Sequence, residues 1–265
     1  MTLEILMSCM HQTDDALIAA SQITGSAVVV NQCDREEERS YTTEHGTVRF
    51  LSTTQRGLTK SRNMAIAHST ADVCLLCDDD ENFVPGYEEK ILGAYEQLTQ
   101  ADVVIFKMVD RPCPFGDVPK PLKFPQTMHV SSWQISFRRK KLLEKGVRFD
   151  ELLGAGTGNG AEEELKFLLD CQKAGLSIWY APVEIARVAQ TESTWFAGFN
   201  EKFFYNRGAT TRYILGFPLA AAYAVFYVVK KRKKYQSQLS PVKAMKAIFR
   251  GILKNPITKQ ARNRK

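Results

Sequence analysis

Over the first 110 residues the apolar positions come as short runs, LEILMS (3–8), AVVVN (27–31), TVRFL (47–51), DVCLLC (72–77) and DVVIFKM (102–108), of which DVCLLC shows no polar alternation. A run without polar alternation suits a strand covered on both faces, the situation of a parallel sheet. Between these runs the pattern turns helical, in DDALIAASQI, in GLTKSRNMAIAHS (57–69) and in PGYEEKILGAYEQL (85–98), with Pro85 near a helix start. Further on, RPCPFGDVPKPLKFP (111–125) is a proline-rich loop. HVSSWQISFRR (129–139) is strand-like, and KKLLEKG is a short helix closed by Gly146. GAGTGNG (154–160) is a loop feeding the helix AEEELKFLLDCQKAG (161–175), which Gly175 caps, and SIWYAP (177–182) is a last strand. Strand–helix alternation of this kind implies an α/β fold, a Rossmann-like, mostly parallel sheet flanked by helices. Ligands of such sheets sit beyond the carboxyl ends of the strands.

After Glu192 the pattern changes. Ile214 to Val229 is a sixteen-residue uncharged run containing Pro218. As one helix it would be about 24 Å long, short of a hydrocarbon core of about 30 Å. KKRKK follows at once, and AMKAIFRGILKN then places Met245, Ile248, Phe249, Ile252 and Leu253 on one helical stripe. A basic amphipathic helix beside a polybasic run fits a membrane surface; the alternative is a helix docked on the domain. The expected division is residues 1–208 as the catalytic domain (1–110 and 111–208 as its halves) and 209–265 as an apolar and basic helical tail that associates with a membrane.

Charge sharpens that division. The chain carries a formal net charge of +7, yet thirteen Lys and Arg and no acid lie between Lys230 and Lys265. The rest holds 23 basic against 29 acidic side chains, so the positive charge belongs to the tail. With only Tyr235 and Phe249 as aromatics there and no recognisable module, no nucleic-acid partner is expected. MTLEILMSCMHQTDD has no basic n-region, so a signal peptide is not expected and the six cysteines are expected reduced. Cys74 and Cys77 form a lone CxxC inside an apolar run and read as buried thiols.

The chemistry concentrates where the run LLC enters Asp78-Asp79-Asp80. Like charges this close raise each other's pKa. In an extended segment Asp78 and Asp80 would face the same way and reach one hard cation, Mg²⁺ or Mn²⁺, which shares its oxygen ligands with substrate phosphates. The bland alternative is a solvated acidic turn.

CDDDENFVP, preceded by GLTKSRNMAIAHSTADVCLL, resembles the donor half of glycosyltransferase family 2, enzymes of GT-A fold and, here, of the bacterial surface-polysaccharide type. Gly57, Arg62, Asn63, Asp78, Asp80 and Pro85 occupy the motif places. FDELLGAGTGNGAEEELKFLLDCQKAGLSIWYAP resembles the acceptor half, and the likeness covers roughly residues 3 to 208. The resemblance implies a nucleoside-diphosphate-sugar donor, a UDP-sugar by preference, whose uracil N–H would meet Asp34. Arg62 would approach base or diphosphate, Asp79 would join the donor contacts, and Asp78 and Asp80 would hold Mn²⁺ or Mg²⁺. Among Glu162, Glu163 and Glu164, the family's spacing counted back from Phe167 selects Glu163 and Glu164, with Glu164 as the base on the acceptor hydroxyl. An acidic first turn complementing the helix dipole would also explain the three. Trp133 could stack on a sugar ring or belong to the core. Residues 185–190, IARVAQ, lack the histidine that many members use as a third metal ligand, and SCMHQTDD lacks their Pro-x-Tyr-Asn turn.

The expectation is an inverting transfer of one sugar to a saccharide acceptor, polyprenyl-linked, in cell-surface polysaccharide assembly, by a peripheral protein at the cytoplasmic face of the membrane. A nucleotidyltransferase and a noncatalytic membrane-bound scaffold are the alternatives.

Overall fold

The computed structural model describes residues 1–159, 162–189 and 198–263. The chain divides into two compact units, Met1–Phe149 with Glu164–Thr191, and Asp150–Glu163 with Glu192–Lys265.

The first unit is built on ten strands: β1 (Leu3–Met10), β2 (Ser26–Gln32), β3 (Glu37–Thr42), β4 (Thr47–Thr53), β5 (Val73–Asp78), β6 (Glu81–Phe83), β7 (Val103–Met108), β8 (Lys120–Pro121), β9 (Ile135–Arg138) and β10 (Ile178–Val188). Its helices are α1 (Ala16–Ala20), α2 (Leu58–His68), α3 (Tyr87–Gln97), α4 (Arg139–Glu144) and α5 (Glu163–Lys173). The strands form one sheet in the order β3-β4-β2-β1-β5-β9-β7-β10-β6, with β8 on β10. The pairs β4-β2, β2-β1, β1-β5 and β7-β10 are parallel. The short β9 lies antiparallel between β5 and β7.

The apolar runs are used as expected. Along β5, Val73, Leu75 and Cys77 enter one core while Cys74 and Leu76 enter another on the opposite face; β1, β2 and β7 divide in the same way. Helix α3 covers the first core through Tyr87, Ile91 and Tyr95, and α2, α4 and α5 cover the second through Ile66, Leu142 and Phe167. Cys74 and Cys77 therefore lie on opposite faces and cannot share a ligand. Both are free thiols, and burial pushes Cys74 up to about 12 and Cys77 well above its usual range.

Three local expectations fail. DDALIAASQI forms only the single turn of α1. Within 129–139 only Ile135–Arg138 is strand, because residues 132–134 close a helical turn through a Ser131–Gln134 capping box. The polar EERSYT, which no apolar run announces, is the edge strand β3, held by its ladder to β4.

The second unit is helical: α6 (Glu201–Lys230), α7 (Arg232–Tyr235), α8 (Pro241–Lys254) and α9 (Pro256–Arg262). The expected boundary at residue 208 falls inside α6. Helix α6 is not one rod. Gly216 has φ 76° and ψ 177°, a conformation open essentially to glycine alone, with Pro218 two residues beyond. The chain folds back there. Arg207 donates to the Tyr223 hydroxyl at 2.9 Å, and its guanidinium lies 4.5 Å over the Tyr227 ring. In a continuous helix those residues would be about 24 Å and 30 Å along the axis from Arg207. The run Ile214–Val229 is therefore the bend and second arm of a helical hairpin. The apolar stripe expected on α8 is also rotated. Ala244, Ala247, Ile248, Gly251 and Ile252 are buried, and Leu253 is exposed. A Cβ on Gly251 would stand 2.0 Å from the Tyr205 carbonyl oxygen, and one on Gly208 2.0 Å from that of Ile248. Helix α8 thus packs backbone-to-backbone on the first arm of α6, so its apolar face is spent inside the unit.

Candidate active site

β5 runs in register with β1, Asp78 opposite Ser8, so the acidic triplet begins where the central parallel strands end. Asp79 and Asp80 form a tight turn, and Glu81 opens β6, which pairs antiparallel with β10. Ala189 donates its N–H to the Asp80 carbonyl at 2.8 Å, fixing the turn from the other side. The segment is therefore not extended through Asp80, and Asp78 and Asp80 do not project together from one strand as expected.

Asp78 is clamped. Arg62, from α2, donates to its Oδ1 at 3.0 Å, and the Ser132 hydroxyl donates to Oδ2 at 2.9 Å. Arg62 is 1% exposed, with its guanidinium 5.4 Å over the Phe149 ring. Helix α2 is set on β1 by the Ser61–Ser8 hydroxyl pair at 2.8 Å. The direct contact of Arg62 with base or diphosphate thus has no open surface to work from, because the guanidinium is sealed beneath Asp78.

Asp79 is exposed and Asp80 partly buried. Burial and then the charge of Asp78 push both carboxyls above their usual range, while Arg111 pulls Asp80 the other way. Glu81 is buried. Its Oε1 accepts from the Asp78 N–H at 2.7 Å, and its Oε2 has no partner. Burial, reinforced by Asp78, pushes its carboxyl well above the usual range.

Beside the triplet a cavity of about 180 Å³ is lined by Met108, Arg111, Cys113, His129, Ser131 and Trp133, with Pro112, Pro114 and Gln134. Ser131 and Trp133 flank the Ser132 that holds Asp78. Trp133 is thus both a wall of this cavity and a partner of the core. Asp34 follows β2, with its side chain 93% exposed, and pairs with Arg56 at 2.5 Å. Arg56 also donates to the carbonyls of Cys33 and Thr53, so the loop tip is tied down.

The three glutamates separate. Glu162 takes a left-handed φ of 68° and its carboxylate accepts from Arg207 at 2.7 Å. Glu163 opens α5 and is 5% exposed; Glu164, one residue on, is partly exposed. Phe167, the spacing marker, is buried and stacked 4.2 Å from Phe149. Of the segment IARVAQ, residues 185–189 lie in or just after β10 and include no histidine, and residue 190 is outside the described residues.

Glu81, Ser132, Arg56 and Arg111 were not singled out from sequence. Glu81 is contiguous with the triplet and was legible there. Ser132 and Arg111 come from loops more than thirty residues away, with no spacing that points to Asp78.

Among the described residues no three His, Cys, Asp or Glu side chains converge to hold a metal ion by themselves. The donor set nonetheless fits a hard cation. It is oxygen-rich, and its carboxyls at 79 and 80 are raised by burial and by the charge of Asp78, which a bound cation would offset.

The family model described as glycosyl transferase family 2 matches residues 26–155. No curated protein matches the chain significantly. Among solved structures, residues 1–349 of TarS from S. aureus in complex with UDP-GlcNAc align with a TM-score of 0.59 at 15% identity, over 90% of this chain and 74% of that one. The same TarS fragment alone gives 0.54 at 14%, over 84% and 65%, and another TarS structure 0.55 at 14%, over 90% and 45%. The chain thus spans 65% of the TarS fragment solved alone and less than half of the longest of these chains. At such identities the likeness is one of fold, and it extends the sheet architecture on both sides of the matched segment. Through residues 26–155 the chain is thus similar to glycosyl transferase family 2, and its sheet has the GT-A fold of the structures it aligns with.

Proposed function

We propose that the protein is a glycosyltransferase that takes a sugar from a nucleoside-diphosphate donor, UDP-linked by preference, and passes it to a saccharide hydroxyl with inversion. The observation that carries this reading is the acidic turn at the carboxyl end of β5, with Asp78 clamped by Arg62 and Ser132 beside a cavity walled by Trp133. A solvated turn needs no sealed arginine beneath it; a diphosphate site needs its first carboxylate held still.

Asp80 and the remaining lone pairs of Asp78 would hold Mn²⁺ or Mg²⁺, with Asp79 at the rim. When bound, such an ion stabilises charge on the departing nucleoside diphosphate as a Lewis acid. Arg62 acts on the donor through Asp78, as a positioning residue. Asp34, exposed and tied to Arg56, would accept from a uracil N–H. The sugar would occupy the Trp133 cavity, an aromatic face suiting a pyranose. Glu164 would take the acceptor proton, with Glu163 as its buried neighbour. A lipid-linked acceptor at the cytoplasmic membrane face belongs to the same proposal and is supported by the basic, acid-poor sequence from Lys230 onward.

The test is a thermal-shift panel of UDP- and GDP-sugars with Mn²⁺, Mg²⁺ or chelator. Stabilisation by a UDP-sugar that depends on the cation supports the reading. Stabilisation by no nucleotide-sugar under any of these conditions removes it.

A further inference from the structure

Within the second unit, the arm of α6 after Gly216 has two faces. Ala220, Ala224 and Val228 are buried against Phe204, Ile248 and Tyr235. Leu219, Ala222, Val225, Phe226 and Val229 are exposed, and their spacing places them on one side of the helix. No charged residue interrupts this outer face, and Phe217 and Pro218 extend it to the bend. It ends directly in Lys230, Lys231, Arg232, Lys233 and Lys234, and Lys230 lies 5.0 Å over the Phe226 ring. Tyr235 is buried and its hydroxyl donates to the Val228 carbonyl at 2.6 Å, which fixes the basic turn α7 at the end of the apolar face.

We infer that this outer face of the second α6 arm, together with the basic turn 230–234, docks flat on an anionic lipid surface, and that α8 does not. The arm from Phe217 to Lys230 is about 21 Å long and cannot cross a hydrocarbon core of about 30 Å. Such an element lies in the interface, its apolar side chains among the acyl boundary and its cations on anionic headgroups. A second copy of the chain is the poorer occupant. Packed parallel, two copies would set their five cations side by side, and packed antiparallel each basic turn would still meet no acid of the partner arm, because Glu201 is the only acid among the described residues from 198 to 263. Ile248 and Ile252, the core of the α8 stripe, are inside the unit and unavailable. The inference extends the membrane-face part of the proposal above, but its test needs no donor or transfer, so the two can fail separately.

The experiment is co-sedimentation of the full chain with phosphatidylcholine vesicles, with and without about one-quarter phosphatidylglycerol, at low and high salt. The unaltered protein should bind the anionic vesicles and lose most of that binding in high salt. Phe226→Ser with Val229→Ser should weaken binding about tenfold or more. Lys233→Gln with Lys234→Gln should weaken it comparably on anionic vesicles alone. Leu253→Ser, on the exposed edge of α8, should leave it unchanged. All changed positions are exposed, and an unaltered melting temperature verifies each fold. Three results would overturn the inference: no binding to anionic vesicles, equal binding by the Phe226/Val229 variant, or a solution dimer that this variant dissolves.

Discussion

Arg62 and Asp78 show a motif arginine buried beneath the carboxylate it holds. The guanidinium is sealed and its charge is met by a carboxylate that is itself a quarter exposed, so the pair holds a geometry that water competes for only from one side. Arg62→Met keeps length and removes the charge. It should cost about 2–3 kcal/mol of stability, less than a fully buried broken pair, and weaken UDP binding, measured by denaturant unfolding and by titration. Glu81 carries a pH prediction. Its folded-state pKa is raised above its unfolded value, so the folded state holds the extra proton and stability falls as pH rises above the unfolded value near 4.5 toward the folded one. Glu81→Gln keeps an acceptor for the Asp78 N–H and removes that penalty. Its melting temperature should equal or exceed the parent's at pH 7, and the advantage should shrink near pH 4. A variant less stable at pH 7 would show that the buried carboxylate is ionised and stabilising.

At the scale of elements, legibility followed burial. Strands buried on both faces announced themselves as apolar runs, and β1, β2, β4, β5 and β7 lie where those runs are. Strand β3 was hidden because an edge strand with polar faces has no periodic signature beyond its own alternation. Helix α6 misled for a different reason. Helical composition on both sides of Gly216 says nothing about a reversal between them, and one glycine in an ε-region conformation decides it. Gly216→Ala should therefore strain the bend by about 1–3 kcal/mol, seen as a lower melting temperature. Gly251→Ala tests the other half of the hairpin's packing, since its methyl would collide with the Tyr205 carbonyl. A loss of about 3 kcal/mol or more is expected, and a neutral result would contradict the close α6–α8 approach. The buried face of α8 lies one residue out of phase with its stripe of large apolar side chains, because Ala244, Ala247 and Gly251 complete the packing face and small residues are what let two backbones meet.

For the molecule as a whole, the two units differ in what sequence could say of them. The sheet unit is legible in the sequence as a fold and, through the triplet, as a candidate site. Ser132, which holds Asp78, and the wall residue Arg111 are not legible there, because segments far apart in the chain supply them. The helical unit was legible in charge and hydropathy but not in path. Its basic character is real, while the surface we propose for lipid lies on the outer side of α6 rather than on α8. The account rests on the turn after β5 being the place where a nucleoside diphosphate is held through a cation. Calorimetric titration of UDP into the full chain tests that most directly, with Mn²⁺, with chelator, and with Asp80→Asn in Mn²⁺. The account predicts binding in Mn²⁺ that weakens about tenfold or more in both other cases; UDP affinity unchanged by chelator and by Asp80→Asn would contradict it.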